Sequence, residues 1–251
     1  MAQALAYILF FLTCPAANAM LGHPPPTCRD LVALPPHPEL PEVRSALVPE
    51  LIGWRRKPRF ATQCLSLLGH SRRYDLALQV LVAMQCEQVE CNTFHYNVAM
   101  HACGRSRVWQ PALWLLREML AVRLDPDTFS YTAAISACEK ASEWQLALGL
   151  LAEMVVVRLD PDAVSYSVAI SACEKAALWH LALSLLVAIP AMKLEPDTVS
   201  YSAAISACGK AAEWHLAMGL LTEMQNTRLD PDIVTCNAAV SACEKAAQWC
   251  L

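Results

Sequence analysis

Six short hydrogen-bonding side chains stand one 35-residue step apart: Thr62, Asn97, Thr132, Ser167, Ser202 and Asn237. Thirty residues beyond each of the first five lies a second polar group, namely Asn92, Asp127, Asp162, Asp197 and Asp232. A hydroxyl or amide paired with a carboxylate offers the donors and acceptors that the Watson–Crick edge of a nucleobase needs. An Asp just ahead of a helix is also an ordinary N-cap, contributing about 1 kcal/mol, and the two roles are compatible. A third series, Arg105, Lys140, Lys175, Lys210 and Lys245, supplies one cation per step, with His70 in the first. Such a row suits a phosphate backbone, or equally the negative end of a helix dipole. Catalysis needs no such period.

A stack of like supersecondary elements does need one. Trp109, Trp144, Trp179, Trp214 and Trp249 keep the 35-residue spacing, as do Cys103, Cys138, Cys173, Cys208 and Cys243. The repeats align as 58–92, 93–127, 128–162, 163–197 and 198–232, with a partial copy at 233–251. In 128–162, Tyr131, Ala134, Ile135 and Cys138 fall at i, i+3, i+4 and i+7, which is one face of a helix. Trp144, Ala147, Leu148, Leu151 and Met154 mark a second amphipathic helix, and Lys140–Glu143 a short polar turn between them. Proline in Asp160-Pro161-Asp162 is expected to stop the second helix. The Trp, Tyr and Met of these stripes are expected in the core. Two antiparallel helices per repeat define an all-α solenoid, in which neighbours cover one another's apolar sides. Positions two, five and twelve of each repeat fall opposite the Tyr-Ile-Cys stripe and are expected to line the concave side.

Composition narrows the function. The 251 residues are 56% apolar with a formal net charge of −4. That fits a well-buried array and lacks the basic surplus that independently marks nucleic-acid binders, so any phosphate contact rests on local placement of Lys and Arg. The 12 cysteines read as small buried apolar residues. Neighbouring helices stand about 8–10 Å apart, beyond the roughly 7 Å that a disulfide tolerates. No C-x-x-C pair nucleates a zinc site. His180 and His215 follow Cys173 and Cys208 by seven residues, but a turn intervenes. No acidic metal cluster, nucleophile elbow or phosphate loop is present. No catalytic residue and no cofactor are expected.

The 35-residue helical hairpin resembles the pentatricopeptide repeat family. The match is carried by Val-Ser-Tyr-Ser at 164–167 and 199–202, by the Lys140/Lys175/Lys210/Lys245 series and by Leu-Ala-Leu at 146–148 and 181–183. Glu-Met at 118–119, 153–154 and 223–224 and the closing Pro-Asp add to it. The resemblance covers about three-quarters of the chain. It implies a right-handed superhelical solenoid that binds single-stranded RNA, one base per repeat. The base readers would be the two polar series above. Phe94, Phe129, Val164, Val199 and Val234 at position two would sandwich the bases, and the cation series would contact phosphates. Hydroxyl-plus-Asp would prefer G, Asn-plus-Asp U, and Thr-plus-Asn A, giving 5′-AUGGGY-3′. A protein-binding scaffold of tetratricopeptide type is the alternative; its period is 34, and it lacks the paired polar positions.

Departures from the family carry their own expectations. The family's glycines are replaced by Ser142, Ala177 and Ala212, and by Arg158, Lys193 and Arg228, which would lengthen or stiffen the helices. Pro190 should shorten or kink its helix. The first repeat is degenerate, with Tyr74 for Trp, Ala61 for Tyr and Cys91 for Pro. Some family members append a deaminase; His37-Pro38-Glu39 mimics half of its signature, but the P-C-x-x-C half is missing.

Residues 1–19 read as a signal peptide, with an apolar run from Leu5 to Leu12 and Ala17-Asn18-Ala19 as a cleavage pattern. The run is too short to span a bilayer. Residues 20–57 are punctuated by Pro24-Pro25-Pro26, Pro35-Pro36, Pro38, Pro41 and Pro49, and end in Arg55-Arg56-Lys57. They read as a linker or second targeting segment. A signal followed by a second leader resembles bipartite import into a plastid, with a mitochondrion as alternative and secretion as the literal reading. The sequence stops at Leu251, position nineteen of its repeat, on apolar Trp249-Cys250-Leu251. Solenoids end in polar caps, so an incomplete chain is expected, together with processing factors held by missing C-terminal regions.

Overall fold

Each repeat is cut into helices by two stops. In the computed structural model, residues 59–70 and 73–246 are described, with Val43, Leu47, Leu51, Gly53 and Trp54. The leader 1–19, the His37–Glu39 half-signature, the cluster Arg55-Arg56-Lys57, and Trp249, Cys250 and Leu251 lie outside the described residues. Within 20–57, Val43, Leu47, Leu51 and Trp54 are helical and buried. Their four- and three-residue spacing is a helical stripe that the proline count hides.

Among the described residues all eleven elements are α-helices. In chain order they are α1 Arg59–His70, α2 Tyr74–Cys86, α3 Thr93–Arg105, α4 Trp109–Ala121, α5 Thr128–Lys140 and α6 Trp144–Val156. There follow α7 Ala163–Lys175, α8 Trp179–Ala191, α9 Thr198–Lys210, α10 Trp214–Asn226 and α11 Ile233–Lys245. Each pair is one repeat. The chain divides into two compact units, Met1–Ala137 and Cys138–Leu251. In the first, α1 packs on α2 and α3, and α3 on α2 and α4. In the second, α7 packs on α6, α8 and α9, while α9 packs on α8, α10 and α11. Within each unit first helices thus lie on first helices, and α2, α8 and α10 each pack on two of them.

The stops correct the sequence reading. Ser142, Ala177 and Ala212 adopt φ of 66°, 56° and 60°, and Arg158, Lys193 and Arg228 adopt 60°, 60° and 59°. They extend no helix. Each is the left-handed residue of a Schellman motif. The amide of Ala177 donates to Glu174 O at 3.1 Å and that of Leu178 to Cys173 O at 2.9 Å. Arg158 and Leu159 repeat the pattern onto Val155 O and Met154 O at 3.1 and 2.9 Å. The second helix therefore ends before Pro161, which only keeps the chain extended. Pro190 shortens nothing either: α8 has the same 13 residues as α6 and α10. It sits in the last turn, where Met192, Lys193 and Leu194 still close the Schellman bonds onto Ala188, Pro190 and Ile189.

The core follows the predicted stripes except at the tryptophans, at half-buried Leu148 and at four cysteines, of which Cys86 and Cys236 are exposed and Cys91 and Cys243 half-buried. Tyr96, Tyr131, Tyr166 and Tyr201 are buried, as are Met119, Met154 and Met224. Cys103, Cys138, Cys173 and Cys208 are wholly enclosed. Desolvation pushes the thiols of Cys138, Cys173 and Cys208 up to about 12, 11 and 11. Trp109, Trp144, Trp179 and Trp214, however, are only half-buried. As the first residue of a second helix, each sits at the rim of its repeat. Trp179 and Trp214 lie against His180 and His215, with ring centroids 3.4 and 3.5 Å apart. Where α9 meets α11 the backbones nearly touch: a Cβ on Gly209 would stand 2.8 Å from Ala238 O.

Among the described residues no helix is long and apolar enough to cross a membrane. None of their His, Cys, Asp and Glu side chains forms a group of three able to hold a metal ion.

Candidate nucleic-acid interface

The acidic series caps the first helices. Asp162 Oδ1 accepts from Ser165 N and Ser165 Oγ, both at 2.7 Å. Asp127 Oδ1 takes the same two bonds from Ser130 at 2.8 Å, and Asp197 Oδ1 takes them from Ser200 at 2.8 and 2.6 Å. Asp232 Oδ1 takes them from Thr235 at 2.7 and 2.6 Å. Hydrogen bonds from the Thr235 hydroxyl and amide hold the Asp232 carboxyl below its usual value. Every one of these bonds ends on Oδ1. Asn92 is the variant cap: its Oδ1 accepts from His95 N at 3.2 Å, while its backbone N–H donates to His95 Nδ1 at 3.2 Å. The far nitrogen of His95 meets Thr62 Oγ1 at 3.0 Å, which joins positions five and thirty-five of the first repeat through one imidazole.

Position five is not open surface, which corrects the expectation for the inner repeats. Asn97, Thr132 and Ser167 are buried, Ser202 is half-buried, and Asn237 is exposed. An amphipathic pattern assigns a face of one helix; it does not show that the next first helix covers part of that face. Thr132 Oγ1 donates to Thr128 O at 2.8 Å, and Ser167 Oγ to Ala163 O at 3.0 Å. Both hydroxyl protons are spent on their own helix, leaving the oxygens as acceptors. Asn97 Nδ2 donates to Asp127 Oδ1 at 3.4 Å, and its enclosed Oδ1 has no partner.

Position two is open. Phe94, Phe129, Val164, Val199 and Val234 are exposed by 52, 56, 53, 57 and 64%. Apolar side chains held in water at one place in five successive repeats are poised to meet a flat ligand. The Phe129 ring also leans on His101, at 5.2 Å between centroids. Positions two, five and thirty-five come together in a groove of about 310 Å³ lined by Val199, Ser202, Asp232 and Val234, with Ser171, Glu174 and Ser206 alongside. One repeat's reader pair thus lies between the exposed valines of two successive repeats.

The cation series is partly spoken for. Lys175 Nζ lies 2.7 Å from Glu139 Oε1 and donates to Glu139 O at 3.1 Å. Lys210 does the same to Glu174, at 2.7 and 3.0 Å. Lys245 donates to Gly209 O at 3.0 Å, where position twelve carries no carboxylate. Arg105 is exposed and Lys140 half-buried, each in the last turn of its helix. The glutamates at position twelve escaped sequence reasoning as partners of these lysines. The signal was present as Glu-Lys at 139–140 and 174–175, but each lysine reaches 36 residues back, across the stack.

Known proteins share this architecture. A model of the PPR repeat family matches residues 126–175 and 196–245, and a PPR repeat model matches 94–123. Together they take in just over half of the chain. No curated protein sequence matches it. Among solved structures, the pentatricopeptide repeat protein PPR10 from maize superposes over 83% of this chain with TM-score 0.64 and 24% identity. PPR10 in complex with an 18-nt psaJ RNA element does so over 82%, with TM-score 0.58 and 24% identity. This chain spans only 32 and 29% of those two. The PPR domain of Arabidopsis thaliana protein-only RNase P 1, in complex with tRNA, matches over 72% of this chain and 96% of its own, with TM-score 0.60 and 13% identity. Repeat period, helix pairing and family models agree, and the chain belongs to the pentatricopeptide repeat family.

Proposed function

We propose that this array binds single-stranded RNA, one nucleotide per repeat, and acts in organellar RNA processing, stability or translation. The observation that carries the reading is the groove in which Val199 and Val234 flank Ser202 and Asp232. A base slipped between the valines would face a hydroxyl oxygen and a carboxylate oxygen at its edge. Valine gives less stacking than an aromatic residue, for which the contribution is roughly 1–3 kcal/mol per base; Phe94 and Phe129 would therefore anchor the 5′ end. The solved RNA complexes of PPR10 and of the RNase P domain support the class of ligand. The register gives A for Thr62/Asn92, U for Asn97/Asp127, and G for Thr132/Asp162, Ser167/Asp197 and Ser202/Asp232, with a pyrimidine at Asn237.

The test is binding of an RNA carrying 5′-AUGGGU-3′ against one carrying 5′-AUCCCU-3′. Tighter binding of the first supports the register; equal affinity for both refutes it. The leader points to a plastid, with the mitochondrion as the alternative, and imaging a tagged full-length protein decides between them.

A further inference from the structure

Resting on the RNA reading, we propose that Glu139 and Glu174 set the affinity of the array by occupying the phosphate sites of Lys175 and Lys210. Each carboxylate lies 2.7 Å from its lysine nitrogen, the distance at which a phosphate oxygen would stand. The lysine is fixed there by a second bond to the backbone carbonyl of the same glutamate. Glu174 is held from the other side by Ser206 Oγ at 3.0 Å, and it lines the same groove as Ser202 and Asp232. A phosphate arriving at Lys210 therefore has to displace an anion that the fold has already placed.

The array contains its own comparison. Lys245 makes the same carbonyl bond, to Gly209, a residue that has no carboxylate to offer. Glycine is enforced there by packing, since a Cβ on Gly209 would meet Ala238 O at 2.8 Å. The Lys245 site thus differs from those of Lys175 and Lys210 for a steric reason. The consequence is an array that binds through bases more than through backbone charge, in keeping with its net charge of −4.

The experiment measures binding of a short unstructured RNA bearing 5′-AUGGGU-3′ to the full chain and to the isosteric variant E139Q/E174Q, across a salt series. Freeing two lysines is expected to steepen the plot of log affinity against log salt by about 1.4, and to raise affinity as much as ~25-fold at 0.1 M salt. Lys210→Met in the E174Q background must cancel the gain from that site. A gain that survives Lys210→Met reflects general loss of negative charge and overturns the proposal. An unchanged slope, with wild type binding and helical content preserved, overturns it while leaving the RNA reading intact. If neither protein binds RNA at any salt, the RNA reading falls and this proposal with it.

Discussion

Alanine at the helix stops gives a stability prediction of unusual sign. Ala177 and Ala212 sit at φ of 56° and 60°, where a Cβ costs about 1–2 kcal/mol through its clash with the following carbonyl oxygen. Replacing either by glycine removes that strain. It also loosens the unfolded chain, which costs about 0.4–1 kcal/mol. Ala177 is exposed and Ala212 half-buried, so little packing is lost. The balance favours glycine by about 0.5–1 kcal/mol per site, or roughly 1–4 °C in Tm for an array of this size. The same change at Ala152, exposed in the middle of α6, should destabilise by about 0.8–1 kcal/mol, because there the backbone is helical. Urea and thermal unfolding of A177G, A212G, their double variant and A152G provide the assay. The two stops lie one repeat apart and share no bond, so the double variant should show the sum. If A177G and A212G lower stability as A152G does, the left-handed assignment is wrong and the helices run through these residues.

Three further outcomes follow from the geometry. Asp197→Asn and Asp232→Asn should leave stability within about 0.5 kcal/mol, since Asn caps as well as Asp; the RNA reading requires a shift in base preference at the corresponding nucleotides, seen by competition with single-base variants. Gly209→Ala should cost about 1–3 kcal/mol by overpacking against Ala238, whereas Gly149→Ala, with nothing within 4 Å, should gain about 0.8–1 kcal/mol; chemical denaturation separates the two. Cys86 and Cys236 are exposed and should take iodoacetamide in the native protein at pH 8, while Cys103, Cys138, Cys173 and Cys208 should not, as peptide mapping will show. The folded state keeps these four thiols neutral, and the unfolded chain releases their protons from about 9.0 upward. Stability should therefore be unaffected by them below that pH and should fall as pH rises from 9 toward 11.

How much of this was legible depended on whether a residue's role is written in its own repeat. The helix pairs were, because Tyr131, Ile135 and Cys138 recur at fixed phase and burial is what a periodic apolar stripe reports. The Asp caps were as well, since capping is decided within three residues: Asp162 and Ser165 suffice. The stops were not. Nothing about Ala177 or Arg158 as a residue type announces a positive φ; the requirement comes from the Schellman bonds on either side and from apolar Leu178 and Leu159 just beyond. Position five was misplaced for a different reason. The helical wheel puts Ser167 and Tyr166 on different faces, yet both are buried, because a first helix in a stack has neighbours on more than one side. The lysine rungs lay furthest from view, since a contact 36 residues away depends on how repeats are stacked.

The cap itself bears on recognition, and Ser200 tests how. Asp197 Oδ1 is held at 2.8 Å by an amide and at 2.6 Å by the Ser200 hydroxyl, and Ser200 is wholly buried. Two bonds to one oxygen fix the carboxylate, so Oδ2 is aimed before any ligand arrives, and a base that meets it has little side-chain freedom left to freeze. Removing the hydroxyl in Ser200→Ala keeps the amide bond and the helix start but lets the carboxylate turn. Ordering it then costs on the order of 0.5–1 kcal/mol at binding, a two- to fivefold loss of affinity. Base preference should not change, because Asp197 and Ser167 still present the same donors and acceptors. Asp197→Asn should do the opposite, changing preference while the carboxamide stays pinned. Titrating both variants against RNAs that differ only at the nucleotide assigned to Ser167 and Asp197 separates aiming from reading. Equal behaviour of the two would mean that Asp197 only caps, and that base choice is made elsewhere in the repeat.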